Sequence, residues 1–106
     1  MGESKTDLSQ LRQFINKIAK KLKLEKVILF GSRSHGTPRV DSDYDLILVS
    51  SDFEGIKFYK RTSGLYTSWN LEAPVDFICL TPKEFEEKRK QPTVVRHAVE
   101  KGLQIV

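Results

Sequence analysis

At 106 residues the chain has the size of one domain. Its 18 Lys plus Arg against 14 Asp plus Glu leave a net charge of +4, which favours anionic ligands such as nucleotides or nucleic acid over cationic ones. One cysteine excludes an intrachain disulfide, and no apolar run approaches the ~20 residues that cross a bilayer or forms a leader at the start; a single cytoplasmic domain over residues 1–106 is expected.

Leu8, Leu11, Ile15, Ile18 and Leu22 recur at three and four residues and predict an amphipathic helix over 7–23 whose stripe packs on a sheet. Lys17, Lys20, Lys21 and Lys23 near its end read as a solvated face rather than a binding patch, and no aromatic-interleaved basic motif supports base stacking. Val27–Phe30 is the first strand. A short helix is expected from Ser32 to about Gly36, then a loop over 37–42 containing Pro38, long enough for a second strand, Asp43–Val49, to return beside the first. A turn follows at 51–55. Residues 56–69 are expected to be helical despite the low propensity of Ser63-Gly64; their Phe58, Tyr59, Leu65, Tyr66 and Trp69 suit packing against the core or a partner better than base stacking.

Val75–Leu80 is the third strand and should bury the Cys79 thiol. Thr81-Pro82-Lys83-Glu84 opens a helix to about Lys90 with a threonine cap, proline at the first helical position and glutamate three after the cap. Pro92 breaks it, Thr93 caps a last helix that ends before Gly102, and Leu103–Val106 can add an edge strand. His97 on that last helix suits packing or solvation. This order predicts an α+β domain, a mixed β-sheet with helices packed mainly on one face and the other face open at a cluster of acidic residues.

Those acidic residues carry the functional argument. Gly31-Ser32 follows the first strand, and after ten intervening residues comes Asp43-Tyr44-Asp45, opening the second. Residues two apart in a strand share a face, so Asp43 and Asp45 should project side by side, and Asp76 near the start of the third strand offers a third carboxylate. Two unit charges about 4 Å apart repel by ~4 kcal/mol at an effective dielectric near 20, a large share of the ~5–15 kcal/mol that holds a domain. A divalent cation removes that cost. All-oxygen ligands suit Mg²⁺ or Mn²⁺ better than zinc, and two such ions can clamp the attacking and leaving oxygens of an in-line displacement. Setting the three aspartates aside leaves the rest of the chain more basic still, an attraction for a nucleoside triphosphate.

Gly31 and Gly36 have P-loop spacing, but Thr37 and Pro38 stand where Lys and Ser or Thr are required, so this is no P-loop. Gly31 allows close backbone approach to phosphate, and Ser32 can cap a helix whose N-terminus suits an anion. Arg33 and Arg39 lie near enough in sequence either to hold phosphate or to solvate the loop. His35 reads as a loop residue, since no Cys or His partner stands at ligand spacing.

The hydrophobic-Gly-Ser turn, the ten-residue interval, Asp43-x-Asp45 and the later Asp76 strand resemble the DNA polymerase beta-like nucleotidyltransferase superfamily. The chain is most similar to its minimal nucleotidyltransferase group, small domains often paired with a HEPN partner protein. The likeness extends through Thr81-Pro82-Lys83-Glu84-Phe85 and Ala98-Val99-Glu100-Lys101-Gly102, roughly residues 8 to 106. It implies the nucleotidyltransferase fold and metal-dependent transfer of a nucleoside monophosphate, AMP from ATP, to a hydroxyl. Asp43, Asp45 and Asp76 would be the catalytic metal ligands, with two Mg²⁺ or Mn²⁺ ions. Gly31, Ser32, Arg33 and Arg39 would hold the nucleotide, Ser32 through its terminal phosphates.

The resemblance also implies an acceptor, a tyrosine of a HEPN ribonuclease toxin, and so an antitoxin role. Two other readings stay open: an antitoxin that acts by contact without turnover, and an enzyme acting on a small molecule or an RNA 3′ end, which the lack of a second domain disfavours. A second copy of the chain could complete the acceptor site.

Overall fold

The apolar stripe at the start of the chain forms α1 (Ser9–Ala19), and its Leu11, Phe14, Ile15 and Ile18 are buried. The computed structural model describes residues 8–31 and 43–106; the expected Ser32–Gly36 helix and the 37–42 loop lie outside them. Four strands follow: β1 (Lys26–Phe30), β2 (Tyr44–Val49), β3 (Val75–Leu80) and β4 (Leu103–Gln104). They form one mixed sheet in the order β3-β2-β1-β4. β1 runs antiparallel to β2 and β4, whereas β2 and β3 are parallel. β4 is a minimal edge strand at the expected place.

Alternation along the strands divides the core in two. Val27, Leu29, Leu46, Leu48, Phe77 and Cys79 turn to one face and meet α1. Ile28, Ile47, Val49 and Leu80 turn to the other, where Phe85, Val95 and Ala98 cover them. Those three belong to α3 (Pro82–Lys88) and α4 (Val94–Lys101). The larger cluster lies under α1, but the helical cover is more divided than the one-face expectation allowed: α3 and α4 take the opposite face at its far end. The physical reason is that β2 and β3 place aliphatic side chains on both faces beyond Asp45 and Asp76, and each face needs a lid.

The helix expected over 56–69 does not form as one element. Phe58–Lys60 is a 3-10 turn and only Leu65–Ser68 (α2) is α-helical. Gly64, at φ +85°, ends any continuous helix. The aromatic residues of this stretch divide accordingly: Leu65 is buried, Trp69 is half-buried, and Phe58, Tyr59 and Tyr66 are exposed. The capping box of α3 is complete, Thr81 Oγ accepting from the Glu84 amide while the Glu84 carboxylate accepts from the Thr81 amide. Thr93 caps α4, which ends at Gly102.

Among the described residues no helix is long and apolar enough to cross a membrane.

Candidate active site

Parallel pairing of β2 with β3 sets Asp45 directly opposite Asp76, and Tyr44 opposite Val75. Adjacent strands lie roughly 4.8 Å apart, so the two carboxylates leave neighbouring backbones on the same face. Asp43, two residues before Asp45, joins them just ahead of the start of β2. On the reverse face the alternate residues Tyr44, Val75 and Phe77 are buried. Tyr44 packs edge-on against Trp69 at 5.2 Å and Phe14 against Trp69 at 4.9 Å. Such ring pairs contribute ~0.5–1.5 kcal/mol each beyond their buried area. Trp69 Nε1 donates to the Ala73 carbonyl at 2.7 Å, and the Tyr44 amide to the Pro74 carbonyl at 2.9 Å. The aromatic cluster and these two bonds therefore fix the starts of both aspartate-bearing strands from below.

The third wall comes from β1. Phe30 is the register partner of Asp45, and Gly31, at φ +79°, turns the chain away. A Cβ at Gly31 would collide with the Asp45 carboxylate, so only glycine lets that carboxylate lie against the turn. Burial, then the charges of Asp76 and Asp43, push the Asp45 pKa above its ordinary value. The neighbours' charges are thus felt at Asp45, which is half-buried, while Asp43 and Asp76 are exposed.

The arrangement brings together four predicted site residues: Gly31, Asp43, Asp45 and Asp76. Ser32, Arg33, Arg39 and His35 lie outside the described residues. Among the described residues no three His, Cys, Asp or Glu side chains are already gathered around one ligand position. The donor set nevertheless fits a hard divalent cation: every donor is a carboxylate oxygen, and Asp45 carries a repulsion that such a charge would cancel.

One structurally important residue has no signal in the sequence pattern. Arg61 extends beside the outer edge of β3, donating to the Cys79 carbonyl at 3.1 Å, to the Ile56 carbonyl at 2.8 Å, and to both oxygens of Glu84 at 2.5 and 3.1 Å. It is the only buried cation among the described residues. Because 56–69 reads simply as helical in sequence, nothing marks one of its charges for burial.

Residues 13–106 match the polymerase beta nucleotidyltransferase domain, and the chain belongs to that family. Its fold is similar to a crystal structure of a candidate nucleotidyltransferase from Sulfolobus solfataricus, with 21% identity and a TM-score of 0.65 over 92% of this chain and 77% of that one. No protein of curated function matches the sequence closely. Family and fold together define a minimal nucleotidyltransferase domain, for which a nucleotide is the general substrate.

Proposed function

We infer that this domain transfers a nucleoside monophosphate, AMP from ATP, to a hydroxyl acceptor, with Asp43, Asp45 and Asp76 as its catalytic carboxylates. The observation that carries this reading is the Asp45–Asp76 pairing with Asp45 lodged against the Gly31 turn. Two carboxylates on adjacent strands are costly unless a cation shares them, and the glycine turn lets one of them lie against the backbone at the end of β1.

In this reading the acceptor oxygen attacks the α-phosphorus, the bond from that phosphorus to the bridging oxygen breaks, and pyrophosphate departs. The proton of the acceptor hydroxyl passes to the Asp76 carboxylate, which is exposed on the outer strand of the three. Asp43, Asp45 and Asp76 would hold two Mg²⁺ or Mn²⁺ ions. Such an ion neutralises phosphate charge and stabilises the charge that develops in transfer. Gly31 with Ser32, Arg33 and Arg39 orients the departing pyrophosphate.

In the same reading the chain supplies one catalytic core in a cytoplasmic setting, and another molecule brings the acceptor. Resemblance to the minimal group favours the tyrosine of a HEPN toxin as acceptor and an antitoxin role for this chain. The discriminating experiment incubates the chain with labelled ATP, Mg²⁺ and the protein encoded beside it. Label on a partner hydroxyl with release of pyrophosphate is expected, and its loss in Asp43→Asn and Asp45→Asn. Full neutralisation of the partner by the doubly substituted chain would instead establish an antitoxin acting by contact alone.

A further inference from the structure

The sheet order gives the site a direction. Gly31 ends β1, Asp43 and Asp45 begin β2, Asp76 begins β3, and β3 is the outer strand. If the departing pyrophosphate lies on the Gly31 side, an in-line attack brings the acceptor from the β3 side. Beside β3, on the same face as Asp76, is a cleft of about 450 Å³ lined by Phe58, Ile78, Leu80, Val94 and Val95. That lies within the ~300–1,000 Å³ range of clefts that hold ligands. Its floor starts at Ile78, two residues beyond Asp76 on one face and so roughly 6.7 Å along the strand.

Its walls are unusually open for apolar groups. Phe58 is 56% exposed and Val94 49%. Ile56 and Tyr59 beside Phe58 are exposed as well, and a concentration of exposed apolar side chains at a concave place marks an interaction site. The charges around it point away from nucleic acid. Glu84 is already engaged by Arg61, leaving Lys88 as the one cation of the lining. Lys17, Lys20 and Lys21 line a different cleft with Leu65 and Phe53, against the α1 face of the sheet. A phosphate backbone would be drawn there and not to the groove.

We propose that this groove is the docking site of a protein acceptor, taking an apolar side chain that stands about two residues from the hydroxyl presented to Asp76. An extended segment laid along β3 repeats at the same ~6.7 Å per two residues as the strand beneath it. One aliphatic anchor over Ile78, between Phe58 and Val94, therefore sets a hydroxyl-bearing neighbour over the carboxylate. The proposal rests on the transferase reading and names which acceptors that site admits.

The test uses the full chain and two tyrosine peptides, one with leucine two residues from the tyrosine and a twin with lysine there. Methyl resonances of Ile78, Leu80, Val94 and Val95 should move with the leucine peptide and not with its twin. AMP transfer should favour the leucine peptide by roughly tenfold, the scale of one buried aliphatic side chain. Val94→Glu should remove both the shifts and the preference at unchanged ATP affinity; glutamate suits the first turn of a helix, so the variant should fold, and Phe58→Ala on the opposite wall supplies a second probe. Asp43→Asn should abolish transfer yet keep the methyl shifts. Shifts without transfer by the unaltered chain would sink the transferase reading while leaving the groove as a peptide site. Equal transfer to both peptides, unmoved groove methyls, or the same methyls answering to an RNA oligonucleotide instead would overturn the groove.

Discussion

Arg61 and Glu84 join the two sides of the sheet around the outer edge of β3. The guanidinium, 7% exposed, meets a carboxylate that is 37% exposed and is itself the N3 residue of the α3 capping box. Through the same guanidinium the Cys79 and Ile56 carbonyls are satisfied, so one side chain ties together the 56–64 segment, the end of β3 and the start of α3. Breaking a fully buried pair costs ~3–5 kcal/mol; the partial exposure of Glu84 lowers this, and Arg61→Ala should cost about 2–3 kcal/mol by denaturant titration. Arg61→Lys should recover little, because an ammonium cannot serve the planar fork.

The same pair sets an acid limb of stability. The hydrogen bond from Arg61 is the largest cause holding the Glu84 pKa below its ordinary value of 4.5. A carboxylate depressed in the folded state contributes stability that is present above its unfolded pKa and lost as pH falls through its folded one. The chain should therefore lose stability below about pH 4.5, and Arg61→Ala should flatten that slope. A slope unchanged by the substitution would assign the acid limb to other carboxylates.

Asp45 behaves in the opposite sense. Burial and two like charges raise its pKa, so its ionised form is a local cost to the fold. Asp45→Asn should raise the melting temperature of the metal-free protein. Mg²⁺ or Mn²⁺ with ATP should raise that of the unaltered chain, through a stabilisation of about 2.7 kcal/mol at 100 times the dissociation constant, and the variant should show a much smaller shift. Equal responses of the two proteins to Mn²⁺ and ATP would displace the metal site from Asp45.

Much of this was legible before any coordinates. The strand Val75–Leu80 and the Thr81 capping box follow from local patterns, a run of apolar residues and a cap with its reciprocal glutamate, and both stand as expected. The side-by-side Asp43 and Asp45 beside the Gly31 turn were legible from strand alternation and spacing, whereas Asp76 was joined to them only through the family resemblance, because alternation does not say which strands pair. The break in the 56–69 helix was only half legible: the low propensity of Ser63-Gly64 is visible in the sequence, but not that Gly64 takes a positive φ. Arg61 and the groove were out of reach for a related reason. Both arise where segments distant in sequence meet, Arg61 with Glu84 and Phe58 with Val94 and Ile78, and no periodicity encodes such meetings.

Gly31 gives the sharpest coupling test at the site. Its positive φ alone should cost an alanine ~1–3 kcal/mol, and the new methyl would also strike the Asp45 carboxylate. In a double-mutant cycle, Asp45→Ala should therefore recover part of the loss caused by Gly31→Ala, leaving only the backbone cost. Strict additivity of the two substitutions would mean that the turn and the carboxylate do not touch in solution.

Cys79 reports on the edge that Arg61 closes. Its side chain is 1% exposed and unpaired in any disulfide, and burial pushes its thiol up to about 12, so at neutral pH almost no thiolate is present to react. The native chain should therefore resist iodoacetamide under conditions that label it fully in denaturant. Labelling under native conditions then measures opening of the β3 edge, since the thiol must leave the core to ionise. Arg61→Ala removes the donor to the Cys79 carbonyl and the tether to α3. It should speed labelling by roughly the factor that its loss of stability predicts, tenfold for each ~1.4 kcal/mol if the edge opens only with the whole domain. Acceleration well beyond that factor would show the edge opening on its own. No acceleration, in a variant measurably destabilised, would place the guanidinium's contribution outside the β3 edge and overturn the account of Arg61 given above.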